Sequence, residues 1–221
     1  LVYSGLIRDS TRQINGRDVF YMLNADSTGT STHTLFQLGW NPALNQWDCT
    51  TLLQDVDLTD IHSLDTTRQV NGRPSILGSS FGNFNFFYWT GTGDTYAVTK
   101  INGATYLGTA NGATAPTLDP VTGDIYLFAL SAAPGTQWVF RINHATDPTI
   151  AANWSGTRVG ALDVSIDATG QMPAAHPSTV GFNVGSVVYA GQQLNNGPVL
   201  LITDRVYDYV RTLSVVAGGT G

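Results

Sequence analysis

The chain has 221 residues, a formal net charge of −6 and only 12% charged residues, with Lys100 its single lysine and aspartate its only acid. Lacking glutamate and nearly all lysine, it has little with which to build exposed helix faces, and its arginines, scattered from Arg8 to Arg211, form no basic stripe for phosphates. Helical folds and nucleic-acid partners are therefore set aside, and no run approaches the ~20 apolar residues of a membrane span.

In place of helix formers stand 24 glycines and abundant Thr, Ser and Asn, the chemistry of strands joined by turns, so an all-β chain is expected. Leu1 as first residue suggests a processed or trimmed chain, and the low charge points to a secreted or cell-surface setting. Cys49 is alone and is expected to be a small core residue.

From the N-terminus, residues 1–8 read as a short strand that could pair with the last sheet and close a ring. Thr11-Arg-Gln-Ile-Asn-Gly-Arg17 then returns almost unchanged as Thr67-Arg-Gln-Val-Asn-Gly-Arg73, an internal repeat. Asn-Gly between β-prone runs favours a type I′ turn, so each copy predicts a hairpin. Strands are expected at Thr11–Ile14, Asp18–Leu23, Thr34–Trp40 and Gln46–Leu52, with Pro42 breaking the chain between the last two. The order recurs at Ser75–Ser79, Asn85–Trp89 and Thr95–Ile101, with a further short run at Thr105–Thr109. A third set follows at Asp124–Leu130, Gln137–Ile142 and Gly156–Leu162. A fourth comprises Ser178–Phe182, Ser186–Tyr189, Val199–Ile202 and Val210–Val216.

Units of about 55 residues, each apolar on both sheet faces, must stack on one another to leave water. A radial stack predicts a four-bladed β-propeller of four antiparallel strands per blade, with blades at 9–64, 65–117, 118–172 and 173–221 and with Val19–Leu23 and Ile125–Leu130 near the axis. A β-sandwich or jelly roll is the alternative fold.

The succession Val19-Phe-Tyr, Leu35-Phe-Gln, Trp47 and back to Asn71-Gly-Arg73, echoed by Asp124-Ile-Tyr-Leu, Trp138-Val-Phe and Trp154, resembles the blades of propeller lectins over about half the chain. That resemblance implies a non-catalytic carbohydrate-binding module with several weak, repeated sites for glycans or glycoproteins.

Trp40 and Trp89 each close the third strand of their unit, which puts two flat rings near one rim, suited to sugar C–H faces. Arg12 and Arg68 are the repeated cations, able to fork onto hydroxyls or carboxylates or to pair with Asp9 and Asp65, and Arg17 and Arg73 follow the turn. Trp138 is the corresponding candidate of the third unit. Trp47 and Trp154 are expected as wedges between sheets.

No cofactor is called for. The acids of Asp55–His62 could gather oxygens around Ca²⁺ but lack an EF-hand's glycine and glutamate, and the four histidines have no metal-binding spacing. A small propeller enzyme of glycosidase or lyase type remains an alternative, since residues from several blades can converge on an axis without a local signature. No glutamate or P-loop supports it, and Asp26-Ser-Thr-Gly29 departs from the sialidase Asp-box in its glycine position and its missing tryptophan. A structural protein-interaction domain is the third reading.

Overall fold

Alternating β-prone residues punctuated by Asn-Gly turns produce consecutive antiparallel meanders. The computed structural model describes residues 2–25, 33–55, 58, 60–70, 72–80, 83–103, 113–130, 136–144, 147–163, 184–194, 197–204 and 210–214. Among the described residues are fifteen strands. β1 (Val2–Ile14), β2 (Arg17–Ala25), β3 (His33–Asn41) and β4 (Gln46–Asp55) form the first sheet in chain order. β5 (Asp60–Val70), β6 (Arg73–Ser80), β7 (Asn83–Trp89) and β8 (Tyr96–Asn102) form the second. β9 (Ala113–Leu118), β10 (Ile125–Leu130), β11 (Thr136–Ile142) and β12 (Gly156–Asp163) form the third, and β13 (Val184–Leu194), β14 (Gly197–Asp204) and β15 (Val210–Ser214) the fourth. The all-β expectation holds.

The first strand differs from the sequence reading. Val2–Asp9 pairs with β2, from Val2 opposite Ala25 to Asp9 opposite Val19, so residues 2–8 belong to the first sheet and not to the last. Two register shifts, at Ser4/Leu6 and Asp9/Gln13, let one 13-residue strand absorb irregularities that in sequence look like breaks. Gly5 makes the first of them possible at φ 66°, in the left-handed region, where an added Cβ would lie 2.5 Å from the carbonyl oxygen of Ile61. The hairpin that follows is the expected type I′ turn, with Asn15 at φ 52° and Gly16 at φ 76°. Gly72 repeats it at φ 75°.

The same register signature recurs. β5 and β6 shift at Ile61/Ser63 and Asp65/Gln69, and β13 and β14 shift at Val184/Ser186 and Tyr189/Gln193. The fourth sheet therefore carries a further copy of the bulged hairpin, ending in Gln193 opposite Pro198 and Leu194 opposite Gly197, where Gln13 stands opposite Asp18 and Ile14 opposite Arg17 in the first. The runs at Thr105–Thr109 and Ser178–Phe182 lie outside the described residues.

The chain divides into two compact units, residues 1–81 with 85–100, and residues 82–84 with 101–221. In the first, Val19, Tyr21 and Leu23 of β2 pack with Leu35, Leu52, Ile61, Ile76, Phe87 and Tyr96 in one core. Burying each such side chain contributes about 1.5–3 kcal/mol. Leu58, between β4 and β5, is buried in that core and its carbonyl accepts a hydrogen bond from Nδ1 of the buried His33, which ties the linker to β3. Phe20, which faces away from this core, is half-buried, and the side chain of Phe128 lies outside the described residues. In the second unit, Ile125, Leu127 and Ile142 are buried, and Trp154 sits edge-on to Phe84 with ring centroids 5.3 Å apart while its Nε1 donates to the carbonyl of Pro148 at 2.7 Å.

Gly78 of β6 is the tightest seam of the first unit, because a Cβ there would collide with the Asp60 carbonyl and come within 2.8 Å of the Phe87 ring. Gly78→Ala should cost about 1–3 kcal/mol in urea denaturation; a loss under about 0.5 kcal/mol would contradict the packing. A second expectation concerns His62, half-buried on β5 with Nε2 2.9 Å from Ser79 Oγ. Burial lowers its pKa, against a smaller opposing pull from Asp60. Below the unfolded-chain value of about 6.5 the unfolded state binds the extra proton. The stability held above that pH is therefore lost as pH falls toward the depressed folded value. Wild type and His62→Gln should differ in slope across that window, and parallel curves would contradict the assignment.

Candidate functional site

A carboxylate sealed inside a sheet must find donors, and Asp9 and Asp65, both 0% exposed, find them locally. Asp9 Oδ1 accepts from the backbone N–H and Oγ1 of Thr11 at 3.0 and 2.6 Å, and Asp65 Oδ1 does the same with Thr67 at 3.0 and 2.6 Å. These turns bulge the strand and carry it into the Asn-Gly hairpin. Asp119, also 0% exposed, accepts from Val121 N–H and Thr122 Oγ1 at 2.9 Å each. There the turn closes directly, Gly123 N–H donating to the Asp119 carbonyl at 2.8 Å, and no arginine follows.

Beyond the hairpins of the first two sheets an arginine meets the tryptophan that ends the third strand. The Arg17 guanidinium carbon lies 3.9 Å from the Trp40 ring centroid, and that of Arg73 lies 5.0 Å from the Trp89 centroid. Trp40 and Trp89 thus occupy equivalent places, as the repeat predicts, but their stacking partners are Arg17 and Arg73. The identifying signal was present in the sequence, since both arginines directly follow the glycine of the turn.

Arg12 and Arg68 are placed otherwise. Arg12 is half-buried and its Nη1 donates to Tyr21 Oη at 2.7 Å and Gln37 Oε1 at 2.9 Å. Tyr21 Oη in turn donates to Asp9 Oδ2 at 3.3 Å, so Arg12 reaches Asp9 through a tyrosine. Burial raises the Tyr21 pKa and that of Tyr96, whose ring lies 6.3 Å away, and both stay protonated donors. Arg68 is half-buried, with its backbone N–H on Asp65 Oδ1 at 3.2 Å. The Trp138 side chain and the loop holding Asp26–Gly29 lie outside the described residues.

The surroundings of the two stacks differ. At the first, Trp47 is edge-on to Trp40 and to Phe20, with centroids 5.5 and 5.3 Å apart, and is 37% exposed, so it is no wedge between sheets. β4 forms the outer edge of its sheet and is open from Gln46 to Cys49, which also leaves Cys49 exposed rather than in the core. Asn15 Nδ2 donates to the Trp40 carbonyl at 2.7 Å, joining turn to strand end. The nearby acids already have donors. Asp48 accepts from Asn41 and Gln46 at 2.7 and 2.9 Å, and Asp18 from Arg8 Nε at 2.6 Å and Gln13 at 3.2 Å. Arg8 above all, then Gln13, holds the Asp18 pKa below the usual range, and Gln46 followed by Asn41 does so for Asp48. Arg17 is exposed and has no ion-pair partner among the described residues.

At the second, Arg73 Nη1 pairs with Asp94 Oδ1 at 2.7 Å, and Trp89 Nε1 donates to the Gly93 carbonyl at 2.9 Å. Trp89 is half-buried and packs against the core of its unit. Of the calcium candidates, Asp55 pairs with Lys100 at 2.7 Å and Asp60 accepts from Ile61 N–H at 2.8 Å, while Asp57 lies outside the described residues. Among the described residues no three His, Cys, Asp or Glu side chains gather as a metal site, and no helix is long and apolar enough to cross a membrane. Asn153 donates its side-chain amide to the Asp147 carbonyl at 2.9 Å.

Neither a comparison with protein-family models nor one with curated proteins found a match to this chain.

The buried turn makes its own prediction. Asp9→Ala strands the Tyr21 hydroxyl and the Thr11 donors, and should cost about 1–3 kcal/mol in chemical denaturation. A neutral result would mean that the carboxylate is not what holds the bulge.

Proposed function

We propose that this chain is a four-bladed β-propeller that binds carbohydrate without transforming it, through platforms at its hairpin ends. The repeated stack of an arginine on a strand-end tryptophan carries the proposal: Arg17 on Trp40 at 3.9 Å and Arg73 on Trp89 at 5.0 Å. Stacking fixes a flexible guanidinium beside a flat apolar surface, so that hydroxyl acceptors and C–H faces can be met together at little further entropic cost. At the first platform, the exposed part of Trp47 widens the apolar surface.

A ring of blades is favoured over a jelly roll because each sheet is drawn from one contiguous stretch of chain in simple meander order, whereas jelly rolls exchange strands between sheets. The bulged register shared by the first, second and fourth sheets adds an internal repeat at the level of hydrogen bonding. Shallow sites of this kind gain strength by avidity on a glycan-bearing surface, which fits a secreted or cell-surface protein.

The test is a glycan array followed by titration with a multivalent glycoprotein. Trp47→Ala and Arg17→Ala should each weaken binding by about tenfold or more with the melting temperature nearly unchanged, because both side chains are exposed. Full binding by both variants, or turnover in a hydrolase screen, would overturn the reading.

A further inference from the structure

The two platforms differ by one charge, and the difference sits at one position. The loops from Trp40 to Trp47 and from Trp89 to Tyr96 have the same length. Five residues past the tryptophan, the second loop carries Asp94, which takes the Arg73 guanidinium at 2.7 Å, and the first carries Asn45, the neutral isostere of aspartate. Asn45 sits at φ 51°, a left-handed conformation that Asn and Asp both tolerate, so the backbone alone does not exclude an aspartate there. Arg73 is held within the fold, its side chain 19% exposed. Arg17 is exposed, stacked and without an ion-pair partner among the described residues, and the two acids beside it are occupied by Arg8 and Gln13 and by Asn41 and Gln46.

From this we infer that the Arg17–Trp40–Trp47 platform selects a carboxylate-bearing saccharide, while the Arg73–Trp89 platform carries its own counter-ion and takes neutral ligands. The inference rests on the carbohydrate reading above. Stacking engages only the π face of a guanidinium, and its in-plane N–H donors remain free for a carboxylate, which they bind bidentately. In the second platform the Asp94 carboxylate already stands against the guanidinium and offsets its charge. An acidic sugar would there have to displace Asp94.

The probe is an oligogalacturonate and the same oligosaccharide with its carboxyls reduced to alcohols, titrated by calorimetry against wild type, Arg17→Gln, Asn45→Asp and Asp94→Asn, each checked for fold by circular dichroism. The acidic form should bind wild type about tenfold or more tightly than the reduced form. That ratio should fall toward one in about 0.5 M salt, in Arg17→Gln and in Asn45→Asp. Asp94→Asn should instead gain acidic binding by removing the counter-ion of Arg73. Equal affinities for the two forms in wild type would overturn this inference and leave the carbohydrate reading standing. A preference that survives Arg17→Gln would overturn the assignment to this platform. Binding of neither form would overturn the inference and leave the carbohydrate reading to the glycan array, and binding of poly-glutamate in their place would overturn both in favour of an acidic peptide.

Discussion

The hairpin ends of the first two sheets depend on a carboxylate that has nowhere to go. Asp9 and Asp65 lie within a strand and beneath its neighbours, fully shielded from water. A buried carboxyl group is tolerable only if several donors reach it. A straight strand points its N–H groups sideways into the ladder and cannot supply them. By folding Thr11 and Thr67 back onto the carboxyl oxygens, the chain satisfies these acceptors and inserts extra residues into one strand of the pair. The bulge then sets where the Asn-Gly turn falls, and with it which residue emerges beside the strand-end tryptophan. Chemistry at the surface is thus positioned by hydrogen bonding in the interior.

The third sheet shows what happens when the same device is shortened. Asp119 keeps the buried carboxylate and its threonine partner, but the chain turns at once through Gly123 at φ 74° and proceeds into β10. The carboxylate-centred turn is retained, and the extension that carries Arg17 or Arg73 is not. In the second sheet the full extension is present, but Asp94 closes it. The three copies therefore range from an open cation through a neutralised one to none, although the repeat in sequence looks far more uniform.

How much of this could be read from the chain follows from the range of the interactions involved. Local chemistry was legible. Asn15-Gly16 announced its positive φ values, the meander order followed from spacing and turn residues, and Trp40 and Trp89 fell at the ends of third strands as their positions implied. What escaped were effects that need two distant segments. Residues 2–8 joined the first sheet through a bulge at Gly5 that a linear pattern cannot reveal. Arg12 turned to Tyr21 and Gln37, a partner 25 positions away, leaving Arg17 for the tryptophan. Trp47 was expected as a wedge between sheets and Cys49 as a core residue, yet both sit exposed on the outer strand of their sheet. The hairpin copy in the fourth sheet was hidden because Gln192-Gln-Leu-Asn-Asn-Gly197 keeps the turn chemistry but drops both arginines, and only the register exposes it.

The five tryptophans offer a direct report on whether the platform geometry is a ligand site, because their indole N–H resonances can be followed separately by nuclear magnetic resonance. During titration with a saccharide that scores on the glycan array, the Trp40 and Trp47 resonances should shift progressively. That of Trp154, 1% exposed with its Nε1 held by the Pro148 carbonyl, should stay fixed. Saturable binding that leaves Trp40 and Trp47 unmoved would contradict the account, since the stacked arginine and tryptophan would then be a clasp for the hairpin and not a surface for a ligand.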